Sequence, residues 1–231
     1  MSVIYLVRHG QASFGSADYD VLSELGHRQA ALVGAELRAR GVRIDLAVSG
    51  ALRRQRETAA AALAAFAAEG WPGEIETDSR WNEYDQDWLI NRLADVGGVP
   101  TVAATVPPSR GVSSRTFQGL LDVSLAEWIA RPDTGPGSFT AFSDAVGDAL
   151  DGLVRRLGSG GTAVVFSSAG PIAAVCGRLL GMRADGVVSL NRVMINASVT
   201  KIVAGRSGTS LISVNEHSHI DTAGREFLSY R

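Results

Sequence analysis

The chain has 231 residues, of which 45% are apolar and 20% charged, and its 22 basic and 24 acidic side chains leave a net charge of −2. That is the profile of an ordinary globular protein, and it speaks against nucleic acid or an anionic membrane surface as a partner. The longest apolar run, Ala59 to Ala68, is too short to span a bilayer, and the lone Cys176 leaves no intramolecular disulfide. With no signal-like start either, the expectation is a cytoplasmic protein.

The length suits one large domain, taken here as residues 1–231, with residues 85–136 as a lid or insertion within it. The chain opens on Val3-Ile4-Tyr5-Leu6-Val7, a short apolar run of the kind buried on both faces of a parallel sheet. It ends abruptly in Arg8-His9-Gly10-Gln11. Gly10 lets the backbone leave the strand sharply and approach a ligand. Ser23-Glu24 then reads as a helix start, with Ala30, Val33 and Leu37 at helical spacing and Gly41 as the stop. Ile44 to Val48 is a second strand. Ser49 to Arg54 leads into an alanine-rich helix reaching about Glu69, and Glu74 to Thr77 is a short third strand before Trp81-Asn82-Glu83-Tyr84.

From Asp85 to Pro136 the alternation breaks down around Gly97-Gly98, Pro107-Pro108 and Ser109 to Ser114. Short helices are expected near residues 88–96 and 117–130, with little apolar content of their own. Phe139 to Leu157 restores a helical period. Thr162 to Phe166 is a further buried strand, ended by Ser167-Ser168-Ala169-Gly170-Pro171, and Pro171 suits the first turn of the next helix. Residues 198–203 and 210–214 form two more strands around a glycine turn. The expected fold is a three-layer α/β/α arrangement with a mainly parallel sheet and helices on both faces.

Three strand ends then share one edge of the sheet, and two of them run into helix N-termini, which favour an anion. Arg8 and Arg54 bring guanidinium forks and His9 an imidazole. Together they describe a phosphate pocket, whereas Arg53 and Arg56 point elsewhere around their helix.

The motifs Leu6-Val7-Arg8-His9-Gly10-Gln11, Leu22 to Ala30 and Ser49 to Thr58 resemble the histidine phosphatase superfamily, also called phosphoglycerate mutase-like. The resemblance implies that His9 is phosphorylated during turnover and that Arg8 and Arg54 hold the phosphoryl group. It implies that Glu83, after the third strand, is the proton donor, flanked and desolvated by Trp81 and Tyr84. Gln11, Ser168 and Ala169 are expected to line the phosphate site, and no metal or other cofactor is called for. The implied partner is a small phosphorylated substrate, and a homodimer is open.

One departure stands out. The family usually carries a second histidine where this chain has Ser168. Losing one preorganised donor costs roughly 10²–10³ in rate. Neither His217 nor His219 is expected to replace it, although their alternation would let both face one side of an extended segment. Three functions are compatible with these residues. The first is a phosphomonoesterase working through phosphohistidine. The second is a phosphoglycerate mutase, disfavoured because Phe14-Gly15 stands where such mutases carry Trp-Asn. The third is a weakly active module that binds phosphorylated ligands.

Overall fold

The computed structural model describes residues 1–13, 19–69, 74–95 and 114–230. Phe14 and Gly15 lie outside the described residues. The elements run β1 (Ser2–Arg8), α1 (Glu24–Ala39), β2 (Leu46–Ser49), α2 (Arg53–Leu63), β3 (Glu76–Thr77) and α3 (Gln86–Asp95). They continue with α4 (Ser114–Ala130), α5 (Phe139–Leu157), β4 (Thr162–Ser167), α6 (Ala169–Leu180) and α7 (Ala184–Val193). β5 (Val199–Gly205), β6 (Gly208–Glu216) and α8 (Ser218–Ala223) complete the chain.

Six strands form one sheet in the order β3-β2-β4-β1-β5-β6. The pairs β3·β2, β2·β4 and β4·β1 are parallel, and β5 runs antiparallel to both β1 and β6. The period-two alternation of a strand divides the core between two faces. Ile4 and Leu6 of β1, with Ala163 and Val165 of β4, pack against α5 and α6. Tyr5 and Val7, with Val164 and Phe166, pack against α1, α2 and Ile220 of α8. The expected three-layer architecture is therefore observed.

Local chemistry explains the element ends. Ser23 caps α1 by accepting from the Gly26 N–H at 3.0 Å. Gly41, with φ +68°, turns the chain after it. The alanine-rich helix tightens into a 3₁₀ turn over Ala64–Glu69. Gly10 has a different use from the expected one. A Cβ there would sit 2.3 Å from the Gly26 carbonyl oxygen, so the glycine permits close packing of the strand end on α1.

One helix was not expected and one expectation needs correction. Helix α7 follows the end of α6 directly, with Asp185 in its first turn and Arg192 in its last. The described part of the stretch from 85 to 136 is also better packed than its composition implied. Leu89 and Ile90 of α3 meet Leu121, Leu125 and Trp128 of α4, and Tyr84 and Val188 from outside the stretch complete the cluster. Trp128 stacks edge-on against Phe139 at 5.3 Å between ring centres and lies 5.6 Å from Tyr84.

Candidate active site

Strands β1, β2 and β4 end on one sheet edge, and the turns and helix starts just beyond them build the site. Pairing carries on past β1, where the His9 N–H donates to Ser167 O at 2.9 Å. The Gly10 N–H donates to Thr58 Oγ1 at 3.0 Å, and Thr58 in turn donates to the Arg54 carbonyl at 2.7 Å. That bridge, a threonine hydroxyl between two backbone groups, ties the strand end to the first turn of α2 and so holds His9 near Arg54.

The two side chains meet. Arg54 Nε donates to His9 Nε2 at 3.2 Å, and His9 Nδ1 lies 2.7 Å from Gly10 O. The carbonyl can only accept, so Nδ1 carries the proton and Nε2 presents its lone pair. Burial, helped by Arg54 and Arg8, holds the His9 pKa well below the usual 6.5. His9 is therefore a neutral imidazole whose free nitrogen faces the pocket cation.

Arg54 is aimed by Asp20, whose carboxylate accepts Nη1 at 2.6 Å and caps the Arg53 N–H at 2.7 Å. The Tyr19 ring lies 5.6 Å from the Arg54 guanidinium. Arg8 is anchored by carbonyls: Nη1 donates to Met194 O and Nη2 to Tyr230 O, the latter at 2.9 Å. Its buried Nε has no partner among the described residues. Burial brings its pKa down to about 10, so it stays charged at neutral pH.

Glu83 completes the set. Its carboxylate accepts from the Gly170 N–H, with oxygens at 3.1 and 3.3 Å, at the start of α6. A Cβ on Gly170 would lie 2.1 Å from that carboxylate, so only glycine admits it there. Burial raises the Glu83 pKa, against the pull of Arg54, the Gly170 N–H and Arg8. A raised pKa favours the protonated form, the form able to give up a proton. Trp81 is fully buried beside it, and Tyr84 lines the pocket.

One pocket is lined by Arg8, His9, Arg54, Glu83 and Ala169, five of the seven residues expected there. The structure does not bring the other two. Gln11 turns toward α1, its Oε1 accepting from Ser23 Oγ at 2.9 Å. Ser168 is fully buried, its hydroxyl held by Gln55 Nε2 at 2.8 Å. Gln55 also donates to Trp81 O at 2.9 Å and accepts from the Leu52 N–H at 3.2 Å. Ser168 thus fills the bonding capacity of a core amide instead of facing a phosphate.

Several pocket residues escaped the sequence reading. Tyr19, Asn191 and Tyr230 line the pocket and belong to no motif, and Asp20 acts through Arg54. Behind His9, Asn196 Nδ2 donates to His9 O at 3.1 Å, and Ser229 Oγ donates to Asn196 Oδ1 at 2.9 Å. Gln29, inside the quoted α1 motif, offers its Oε1 to the Gln11 N–H at 2.8 Å. The tail histidines do not share a face as expected, because α8 begins at Ser218. His217 pairs loosely with Asp221 at 3.6 Å, and buried His219 bonds to Ala197 O at 2.9 Å. Among the described residues no cluster of three or more His, Cys, Asp or Glu is placed to hold a metal, and no helix is long and apolar enough to cross a membrane.

Comparison with known proteins points the same way. Residues 4–89 match the family model of the histidine phosphatase superfamily, branch 1. The matched stretch contains Arg8, His9, Arg54 and Glu83 and stops before β4. None of the curated proteins matches the chain. Solved structures share the fold at low identity, which makes it phosphoglycerate mutase-like. A phosphoserine phosphatase mutant from Entamoeba histolytica, in complex with phosphoserine, is 18% identical, with 95% of this chain and 100% of that chain covered and a TM-score of 0.65. The phosphoglycerate mutase of Bacillus anthracis is 20% identical, with 94% of each chain covered and a TM-score of 0.63. A mycobacterial glucosyl-3-phosphoglycerate phosphatase bound to inorganic phosphate is 22% identical, with 94% and 99% covered and a TM-score of 0.64.

Proposed function

We propose that the protein is a phosphomonoesterase that works through a phosphohistidine on His9. The observation that carries this reading is the contact of Arg54 Nε with Nε2 of a neutral, buried His9, in a pocket shared with Arg8 and with Glu83, whose pKa burial raises. In the first step a phosphoryl oxygen takes over the Arg54 donor, and the Nε2 lone pair attacks phosphorus in line. The phosphorus–oxygen bond to the alcohol breaks, and Glu83 passes its proton to the leaving oxygen. In the second step water gives a proton back to Glu83 and attacks phosphorus. The phosphorus–nitrogen bond breaks, and inorganic phosphate leaves. Arg8 and Arg54 offset the charge that builds on the phosphoryl oxygens.

The match to the histidine phosphatase model and the phosphatases among the structural neighbours support this reading. Capture of Ser168 by Gln55 favours a second reading, a phosphate-ester-binding protein with little turnover. One screen separates them. Phosphate release from a panel of phosphomonoesters is measured for the protein and for His9→Ala, with base-stable, acid-labile phosphate on the protein scored after rapid quenching. Release and labelling, both lost in His9→Ala, are the expected result. Tight ester binding without either would overturn the phosphatase reading, and transfer confined to positions of phosphoglycerate would point to a mutase.

A further inference from the structure

Part of the pocket wall has a chemistry of its own. Its wall carries the side chains of Tyr84, Gln86, Gln118, Asn191 and Arg192. Three of these are amides and one is a phenol. The ionic groups at this end already face each other. Asp122 accepts from Gln118 Nε2 at 2.7 Å through one oxygen and from Arg192 Nε at 2.8 Å through the other. Arg192 is half-exposed but already engaged, so a carboxylate or an ammonium entering here would find the opposite charge already paired.

A hydroxyl group fares better. Asn191 is buried, its Nδ2 lies 3.3 Å from the Tyr84 oxygen, and its Oδ1 has no partner among the described residues. In this arrangement the Tyr84 O–H and Asn191 Oδ1 are an unused donor and acceptor. Turning the amide over leaves an N–H and a phenol lone pair instead, which is again one donor and one acceptor. Burial, with Glu83 nearby, keeps the phenol protonated. A hydroxyl both donates and accepts, so it complements the pair in either state.

We propose that this wall reads hydroxyl groups on the alcohol part of the substrate, and that the substrate class is the phosphate monoester of a neutral polyhydroxyl alcohol, a sugar or polyol. The inference rests on the phosphatase reading and narrows it. Amino-acid and hydroxy-acid esters are the disfavoured classes.

The test compares kcat/KM for sorbitol 6-phosphate and glucose 6-phosphate with that for phosphoserine and 3-phosphoglycerate, with p-nitrophenyl phosphate as a reference that carries no hydroxyls. The polyhydroxyl esters are expected to exceed the acid-bearing ones by about tenfold or more, since a site that bonds hydroxyls discriminates through its own unpaired groups. Asn191→Leu should lower the ratio of sorbitol 6-phosphate to p-nitrophenyl phosphate by about tenfold. Asn191→Asp, nearly isosteric and so a guard against misfolding, should raise phosphoserine relative to sorbitol 6-phosphate by giving its ammonium a counter-charge. Equal or better turnover of phosphoserine or 3-phosphoglycerate by the unaltered protein, alongside aryl phosphate release, would overturn this inference alone. No release from any ester, the aryl one included, would overturn the phosphatase reading and this inference with it.

Discussion

Strands β1 and β4 lie side by side in register, Arg8 beside Ser167, yet their ends do opposite things. The end of β1 spends its backbone on anchoring and leaves its side chains for chemistry. His9 N–H, Gly10 N–H and His9 O are all taken by protein partners, while His9 Nε2 faces the pocket. The end of β4 reverses this. The Ser167 and Ser168 side chains are both bonded inward, to Trp81 O and Gln55, and the backbone at Ala169 and Gly170 meets the pocket and Glu83. One end offers an imidazole and a guanidinium, and the other offers a helix N-terminus. A site with a single imidazole is what this division produces.

The comparison breaks most easily at the groups that link the two ends. Glu83 belongs to neither strand but sits on the start of α6. Glu83→Gln should slow release from alkyl phosphates by about 10²–10⁴, the worth of a positioned acid, and slow p-nitrophenyl phosphate much less, because that leaving group needs no proton. Steady-state rates on the two ester types check this, and equal losses would remove Glu83 from the acid role. Next in size, Arg54→Ala should cost about 10²–10³ in kcat/KM, the value of one preorganised donor, while Arg53→Ala, whose side chain is exposed, should stay within about threefold.

Acidity sharpens the contrast. His9 and His219 both have pKa values held below 6.5 by burial. A lowered histidine pKa means that the unfolded chain binds more protons, so this stability is present above about 6.5 and declines as pH falls from there toward the folded values. Urea unfolding at stepped pH should show the decline, and a His219→Gln variant should show less of it. The smallest effect is expected at β4. Ser168→Ala should change kcat/KM by less than about threefold, since the hydroxyl is turned away from the pocket, and cost roughly 0.5–1.5 kcal/mol in unfolding free energy for the lost bond to Gln55. A large loss of rate without loss of stability would return Ser168 to the phosphate site.

Much of the fold was legible because its signals are local. Apolar runs in β1, β2 and β4, the Ser23 cap and the helical period of α5 depend on neighbours a few residues away. Arg8, His9, Arg54 and Glu83 were legible for a related reason, since each stands at a motif beside a strand or helix end. Gln11 and Ser168 misled because a polar side chain at a strand end has two directions open to it, and the choice lay with Ser23 and Gln55. Asn191 and Tyr230 left no trace, because nothing near them in the chain announces a pocket whose motifs lie far away along it.

The amino-acid order by itself determined the layered fold and the candidates for the site, since burial period and residue chemistry are written along the chain. Tertiary structure alone decided which nitrogen of His9 is free, which serine is turned inward and which further side chains line the pocket. Those outcomes depend on partners brought together across the sheet, where a hydrogen bond goes to the nearest group in space, whatever its place in the chain.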